Sequence, residues 1–293
     1  MSQQQLYLGI DGGGTKCKAR LENSSGEVIG EGLSGPANPA QSADTAFTSI
    51  VDAAKQALTA AGLPSADVSK INACLGLAGV NIPAYRAETE KWTLPFKRFM
   101  LTTDLHIACT GAHGGSDGAI VITGTGSSAF ASVNGRQNAI GGHGFPLGDK
   151  ASGAWLGWRA LTYVLEVFDG LQPTSPLFEK VCALFNTTSK GEIVGKSLHY
   201  RPTDYAKLAP VVIELATDCD FVSQNIKKDG IIYLSSVIKR LKHLGAERIS
   251  MIGGLASYWH DWLDDDLQRL IGPALFAPEH GAVTLAKHYF KEA

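Results

Sequence analysis

The feature that most constrains the fold of this chain is a pattern that occurs twice. Residues 6–29 and residues 118–140 follow the same order of apolar runs and turns. In each copy a buried strand meets a turn of glycine and hydroxyl residues, and a second strand, a hairpin turn and a third strand follow. A recurrence at about 115 residues is too long for a solenoid repeat. It therefore indicates duplication of a domain architecture, with the boundary near 114–117.

The first glycine turn combines residue types that bind a phosphate and a divalent cation. It follows the apolar strand Leu6–Ile10 and consists of Asp11, Gly12, Gly13, Gly14, Thr15 and Lys16. Glycines let backbone N–H groups approach a phosphate closely, and a carboxylate at the strand end suits hydrated Mg²⁺. A glycine-rich hairpin without a ligand has the same pattern. Lys16 either contacts phosphate or belongs to a solvated strand face with Lys18 and Arg20.

Phosphate-binding motifs of two other folds do not fit this turn. The P-loop pattern GxxxxGK[ST] is absent, and residues 17–21 alternate like a strand instead of opening a helix. A Rossmann dinucleotide site fits poorly for the same reason.

Two more glycine turns follow predicted strands. Thr123–Ser128 (TGTGSS) follows the strand Gly118–Ile122, and Gly253–Ser257 follows the strand Glu247–Ile252 and opens a helix. Turns from two matching domains can hold a triphosphate between them. A helix N-terminus suits an adenosine and its α-phosphate through backbone donors and the helix dipole.

Helical periodicity between the strands predicts an α/β architecture. A helix is expected from Ser42 or Asp44 to Gly62, and others at Ala84–Lys91 and Leu105–His113. Strands are expected at Lys70–Leu77 and Lys97–Thr103, helices from Pro176 to Leu244, and an amphipathic helix at Glu279–Phe290. Trp155 and Trp158, three residues apart, are expected in a helix core.

Composition excludes several classes of protein. Hydrophobic residues make up 44%, charged residues 18%, and the net charge is −2, so neither nucleic acid nor an anionic membrane surface is expected as partner. No apolar run reaches the roughly 20 residues of a membrane span, and the first residues, MSQQQ, lack a signal-like core. Five scattered cysteines without CxxC predict reduced thiols in the cytoplasm and no zinc or iron–sulfur site within the chain.

Taken together, these segments resemble a known superfamily. LGIDGGGTK, IVITGTGSSAFA and RISMIGGLAS are similar to the two phosphate motifs and the adenosine motif of the actin/hexokinase/Hsp70 phosphotransferases. Within that superfamily the chain resembles the BadF/BcrA-type ATPase family, in particular its N-acetylglucosamine and glucosamine kinases. GPAN, GLAG, TTDLHIAC and GGHGFPLGDKASG resemble the sugar-site segments of those kinases. The match covers nearly the whole chain in the family's order.

The resemblance implies an α/β fold of two RNase H-like, actin-like ATPase domains with a cleft between them. The first would comprise residues 1–115 with the C-terminal helix 279–292, and the second residues 116–278. ATP and Mg²⁺ would be the cofactors, and an amino sugar would accept the γ-phosphoryl group on its 6-hydroxyl. A homodimer is left open. Asp11 would hold the metal; the expected ATP contacts are Asp11, Gly12, Gly13, Gly14, Thr15, Lys16, Thr125, Gly126, Ser127, Gly253, Gly254 and Ala256.

Asp104 is the predicted general base. It ends a strand and precedes a helix, which places a carboxylate at the edge of an α/β sheet. An N-cap for residues 105–113 is the alternative, and both roles can hold at once.

The resemblance also implies a set of sugar contacts. These are Asn38, Gly79, Val80, Asp104, His143 and Asp149. As alternatives, Asn38 is a turn residue, Asp149 caps a helix over 151–167, and His143 is an exposed loop residue. His143 lies where kinases of the acetylated sugar can carry an aromatic residue, so the resemblance leaves the N-acetyl group of the substrate open.

Two rival functions follow from the same superfamily. An ATPase activator of a dehydratase would need thiolates for a shared iron–sulfur cluster, and neither Cys109 nor Cys182 belongs to a paired motif. A sugar-responsive regulator would bind ATP without phosphorylating a small molecule. Such regulators often carry a DNA-binding segment ahead of the first strand, and with the first strand at Leu6 no such segment is expected.

Overall fold

The computed structural model describes residues 5–291, which form two sheets and the helices around them. The strands are β1 Leu6–Gly12, β2 Cys17–Asn23, β3 Val28–Ser34, β4 Ile71–Leu77, β5 Arg98–Thr103, β6 Gly118–Thr123, β7 Ser127–Val133, β8 Arg136–Gly141 and β9 Ile249–Ile252.

Most of the helices lie in segments where helical periodicity predicted them. They are α1 Ala43–Ala60, α2 Pro83–Thr89, α3 Asp104–Ala112, α4 Gly153–Phe168, α5 Pro176–Phe185, α6 Lys190–Ser197, α7 Pro202–Ala206, α8 Ala209–Thr217, α9 Phe221–His243, α10 Ala256–Trp262, α11 Asp265–Gln268 and α12 Pro278–Tyr289, with a 3₁₀ helix at Ser65–Lys70.

The first sheet has the strand order β3-β2-β1-β4-β5. β1 is antiparallel to β2 and parallel to β4, and β4 is parallel to β5. β1 and β4 are buried along almost their whole length, as expected for strands covered on both faces. Crossovers through α1 and α2 explain the parallel pairs, because parallel neighbours require a long connection.

Helices cover both faces of this sheet. α1 packs on β3 where Gly30 and Gly32 have no side chains, since the Ala57 and Ala53 carbonyl oxygens occupy the space of a Cβ. α12 and α3 pack on the other face around Cys74, Ile107 and Val283. The backbone of α12 touches β1 at Gly9, so helix and strand lie very close there.

The second sheet repeats the order of β3, β2, β1 and β4 in the first. Its strands are arranged β8-β7-β6-β9, with β6 parallel to β9, so β6 corresponds to β1 and β9 to β4. Asn134 and Gly135 join β7 to β8 with φ of 51° and 72°, as a two-residue hairpin turn requires. The predicted duplication is therefore present in the strand topology.

Contacts divide the described chain into two compact units. One holds the residues up to Gly118, residues 132–137 and the residues from Pro273 onward; the other holds 119–131 and 138–272. The proposed domain division places its boundary at 115/116 and assigns residues 132–137, the hairpin between β7 and β8, to the second domain. Residue 292, the last of the proposed C-terminal helix, lies outside the described residues.

Several local predictions need correction. Thr103, not Asp104, caps α3, because its hydroxyl accepts the His106 N–H while Asp104 is the first helical residue. Ser152, not Asp149, caps α4, which begins at Gly153 instead of 151. β1 runs through Asp11 to Gly12, and Trp158 is 39% exposed, unlike the buried Trp155.

Cysteine chemistry and membrane spans were also predicted from composition. All five cysteines are free thiols, and burial raises the pKa of Cys109 and of Cys182. Over residues 5–291, none of the helices has the length and apolar character needed to cross a membrane.

Candidate active site

The ends of three parallel strands are level at one edge of the first sheet. Gly12 of β1 is in register with Leu77 of β4, and Leu77 with Thr103 of β5. Asp11, the turn after Leu77, and Asp104 therefore lie at this carboxyl edge, where ligands of open α/β sheets bind.

Asp11 is a mostly buried carboxylate with other carboxylates nearby. Burial, together with the negative charges of Glu279 and Asp104, raises its pKa to about 6 against the opposing effect of Lys18 and Lys16. An excess of negative charge in a partly desolvated place favours binding of a cation.

Asp104 stands at the N-terminus of α3. Its Oδ1 accepts a hydrogen bond from the Leu105 N–H at 2.9 Å. Burial raises the pKa of this carboxyl, whereas the backbone N–H groups of Leu105 and of Asp104 itself lower it. A carboxyl whose pKa is raised is a better proton acceptor when ionised than an ordinary aspartate.

The loop before α1 connects two of the predicted segments. The Ala37 N–H donates to the Gly13 carbonyl at 2.8 Å, and the Ala78 N–H donates to the Gly12 carbonyl at 2.9 Å. Asn38 Oδ1 accepts the Ala40 N–H at 2.9 Å, which is the predicted turn role. The loop thus joins the first glycine turn to the predicted sugar segment.

Gly79 and Val80 differ in their contacts with the rest of the protein. Gly79 has φ of +84°, and the Asn38 amide lies against its Cα where a Cβ would stand. Asn38 and Gly79 are thus brought together. Val80 is fully buried, and its carbonyl accepts a hydrogen bond from Arg86 Nε at 3.2 Å. That carbonyl already has a protein partner.

The first turn contains one glycine that the protein itself does not require. A Cβ on Gly12 would meet the Leu77 side chain at 2.5 Å, and one on Gly14 the Gln41 amide at 2.9 Å. A Cβ on Gly13 would meet only the Lys16 carbonyl at an ordinary 3.6 Å, without a left-handed φ. Thr15 and Lys16 are exposed. Space above Gly13 is therefore free for a ligand to approach the backbone.

The second turn lies against the start of α4. The Gly153 N–H donates to the Gly124 carbonyl at 2.8 Å, and the Ala154 N–H to the Thr125 carbonyl at 3.1 Å. The Ser127 hydroxyl donates to the Lys150 carbonyl at 2.6 Å, and its N–H to Asp149. Ser127 therefore holds the turn to the loop 141–152, whereas Thr125 is exposed. A Cβ on Gly124 would meet nothing within 4 Å.

Asp149 lies beside this turn. A Cβ on Gly126 would meet its Oδ2 at 2.9 Å, and Asp149 itself has φ of +62°. Burial raises its pKa, opposed by the Ser127 N–H and by His143, which is exposed. His143 and Asp149 are thus close enough to interact.

The third turn follows β9. The Leu255 N–H donates to the Thr123 carbonyl at 3.0 Å, so this turn is attached to the end of β6. Gly253 has φ of +106° and lies against the Thr123 backbone, while a Cβ on Gly254 would meet nothing within 4 Å. Ala256 begins α10.

Each unit thus brings together its own share of the predicted residues. The first holds Asp11, Gly12, Gly13, Gly14, Thr15, Lys16, Asn38, Gly79, Val80 and Asp104, and the second holds Thr125, Gly126, Ser127, His143, Asp149, Gly253, Gly254 and Ala256. Each of the three turns contains one glycine whose missing Cβ neither packing nor φ requires.

Three nearby residues were missed by the sequence interpretation. The charge of Glu279 raises the pKa of Asp11, and the Gln41 amide lies against Gly14. Burial and the nearby charge of Asp149 raise the pKa of Tyr233. Glu279 opens a predicted helix, but no local pattern connects it to a strand far away in the chain. Gln41 and Tyr233 belong to no motif that would have identified them.

The chain is similar to known amino-sugar kinases. A glucosamine kinase from Vibrio cholerae is 37% identical over 291 residues, which is 94% of this chain and 97% of the relative. An N-acetyl-D-glucosamine kinase from Dictyostelium discoideum is 26% identical over 262 residues, 81% of each chain. A crystal structure from Chromobacterium violaceum, described as a candidate N-acetylglucosamine kinase, superposes with a TM-score of 0.87 at 30% identity, covering 96% of this chain and 99% of that one.

The repeated strand order and this structural match define the class as an actin-like ATPase fold. The chain belongs to the BadF/BadG/BcrA/BcrD ATPase family, whose sequence model matches residues 8–286.

Proposed function

We propose that this protein is an ATP-dependent amino-sugar kinase that transfers the γ-phosphoryl group to the 6-hydroxyl of glucosamine or N-acetylglucosamine. The observation that carries the proposal is Asp104, a half-buried carboxylate one residue beyond β5, at the sheet edge that also holds Asp11 and the open Gly13. Similarity to a glucosamine kinase over nearly the whole chain supports the choice of acceptor.

Asp104 acts as the general base. The Leu105 N–H holds one carboxylate oxygen, which leaves the other to accept the proton of the sugar hydroxyl as phosphoryl transfer proceeds. Such transfer needs mainly alignment and charge neutralisation.

Asp11 is the protein ligand for Mg²⁺. Among residues 5–291 there is no group of three His, Cys, Asp or Glu side chains suited to a metal. This fits Mg²⁺, which commonly takes one or two carboxylates together with phosphate oxygens and water. The mostly buried Asp11 carboxylate, crowded by negative charge, suits that role. When bound, the ion would neutralise charge on the phosphates.

ATP contacts all three glycine turns. Residues 12–16 and 125–127 contact the phosphates, with Lys16 contributing positive charge. Residues 253–256 accept the adenosine and its α-phosphate. Gly13, Gly124 and Gly254 support this assignment, because no packing contact or left-handed φ explains the absence of their side chains. Asn38, Gly79, Val80, His143 and Asp149 serve the sugar, with Asn38 and Gly79 already in contact.

The test is ADP release in a coupled assay with ATP, Mg²⁺ and a panel of amino sugars and hexoses. We expect turnover with at least one amino sugar, and a 6-phosphate product identified by its phosphorus–proton coupling. Asp104→Asn should lower kcat by about 10²–10⁴-fold. Asp52→Asn, at an exposed position of α1, is the matched control.

Three outcomes would contradict the proposal. No turnover with any sugar would refute the kinase assignment, and full activity of Asp104→Asn would refute the assignment of Asp104 as general base. Phosphate on another hydroxyl would refute the 6-position.

A further inference from the structure

One face of the β1–β2 pair carries a row of charged residues beneath α12. Asp11 and Lys18 are direct cross-strand neighbours in the antiparallel register, so their side chains project from the same face. Gly9, two residues before Asp11, shares that face, and the Glu279 carbonyl fills the space beside its Cα. Glu279 therefore enters this row next to Asp11 and Lys18.

Two carboxylates lie near one ammonium group in this arrangement, and only one of them forms an ion pair with it. Lys18 Nζ lies 3.6 Å from Glu279 Oε1, although Asp11 is its cross-strand neighbour. The Glu279 side chain is 13% exposed, and its Oε2 is buried without a hydrogen-bond partner among the described residues. Glu279 and Lys18 both act electrostatically on Asp11, with opposite signs.

We propose that Glu279 is a positioning residue for the metal: by holding Lys18 it keeps the ammonium group away from Asp11 and leaves that carboxylate available to Mg²⁺. This rests on the proposed function, since it requires Asp11 to be a metal ligand. Glu279 itself need not touch the ion.

Lys18 has room to change partners if Glu279 is altered. The Lys18 and Glu279 side chains line a cavity of about 410 Å³ together with Glu31, Leu33 and Gln56. Lys18 is 40% exposed and its stem is long, so pairing with Asp11 requires only rotation about side-chain bonds. A cation would then have to displace the ammonium group, which weakens metal binding by about two- to fivefold, the range of exposed ion pairs.

A double-mutant cycle separates this mechanism from a simple loss of negative charge. If Glu279 holds Lys18, then Lys18→Met alone should change metal affinity little, because Lys18 is already occupied. In the Glu279→Gln background the same change should restore affinity, since the competing ammonium group is gone. Independent charge effects would instead add.

The experiment measures Mn²⁺ binding to the full-length protein with ADP, by electron paramagnetic resonance, and the Mg²⁺ dependence of ADP release. We expect Glu279→Gln to weaken Mn²⁺ binding and raise the Mg²⁺ requirement about two- to fivefold, with the thermal midpoint little changed. Glu279→Asp should retain part of the effect, and Glu247→Gln, an exposed carboxylate before β9, none.

Two results would overturn the inference while leaving the proposed function intact. One is wild-type metal affinity in Glu279→Gln. The other is a Glu279→Gln/Lys18→Met variant that binds Mn²⁺ as weakly as Glu279→Gln alone. Absence of Mn²⁺ binding and of turnover in the wild-type protein would instead refute the proposed function, and the inference with it.

Discussion

Gly13 offers a direct test of whether the first glycine turn exists for a ligand. A methyl group on Gly13 would meet only the Lys16 carbonyl at 3.6 Å, and the backbone φ there suits any residue. Gly13→Ala should therefore leave the fold intact. It should stabilise the protein by about 0.4–1 kcal/mol, because alanine reduces the conformational entropy of the unfolded chain.

Nucleotide binding should respond in the opposite direction. If the phosphate approaches the backbone at Gly13, the methyl group holds it away from at least one charge-assisted hydrogen bond. Such a bond is worth about 1.5–3 kcal/mol, which corresponds to an increase in Kd of about tenfold to a hundredfold.

The assay combines titration calorimetry with a non-hydrolysable ATP analogue and urea unfolding of the same preparation. Gly272→Ala is the matched control, because a Cβ there meets nothing within 4 Å and no predicted turn contains it. Unchanged nucleotide affinity in a folded Gly13→Ala protein would refute the reasoning. A large loss of stability would show that the glycine is structural.

Three further predictions concern Asp104, Asp11 and the buried carboxylate of Glu22. Asp104→Asn should lower kcat much more than it raises the sugar KM, because the base acts in the transition state; equal effects on both would contradict this. The pKa of Asp11 is about 6 instead of 3.8, so the native state binds its proton more tightly than the unfolded chain. Without metal, stability should fall as pH rises from about 4 to 6, and the fall should be smaller in Asp11→Asn; an identical profile would count against the shift. Glu22 is buried among Arg20, Lys287 and His280. Glu22→Gln should lower the free energy of unfolding, measured in urea, by about 1–3 kcal/mol, with nucleotide affinity unchanged.

Strand and turn predictions succeeded because they depend on near neighbours in the chain. Apolar runs identified β1 and its counterpart β6, alternating residues identified β2, and Asn134-Gly135 identified a hairpin. These signals come from side-chain alternation and from left-handed backbone preferences, both of which act within a few residues.

Helix caps show where local reasoning reaches its limit. Thr103 and Asp104 are adjacent, and both residue types cap helices well. The choice depended on β5 continuing in extended conformation through Thr103, whose hydroxyl then faces the His106 N–H. In the same way, the left-handed backbone at Asp149 and Ala151 delays α4, so that Ser152 becomes its cap.

The roles of the predicted site residues divide along the same line. Residue types and strand ends were enough to propose Asp11 and Asp104, whereas Asn38 and Asp149 were proposed from the resemblance to sugar kinases. The sequence could not show that the Ser127 hydroxyl donates a hydrogen bond to the Lys150 carbonyl. Such hydrogen bonds join residues from different segments, and no periodicity encodes them.

By itself, the sequence determined the succession of strands along the chain, the duplicated architecture and the residue types of three glycine turns. These follow from local backbone preference and hydrophobic period. The resemblance already implied that the C-terminal helix joins the first domain, but only the tertiary structure decided that α12 brings Glu279 to Lys18 and Asp11. Charge interactions and desolvation depend on distance in space and on burial, and neither is visible in the separation of residues along the chain.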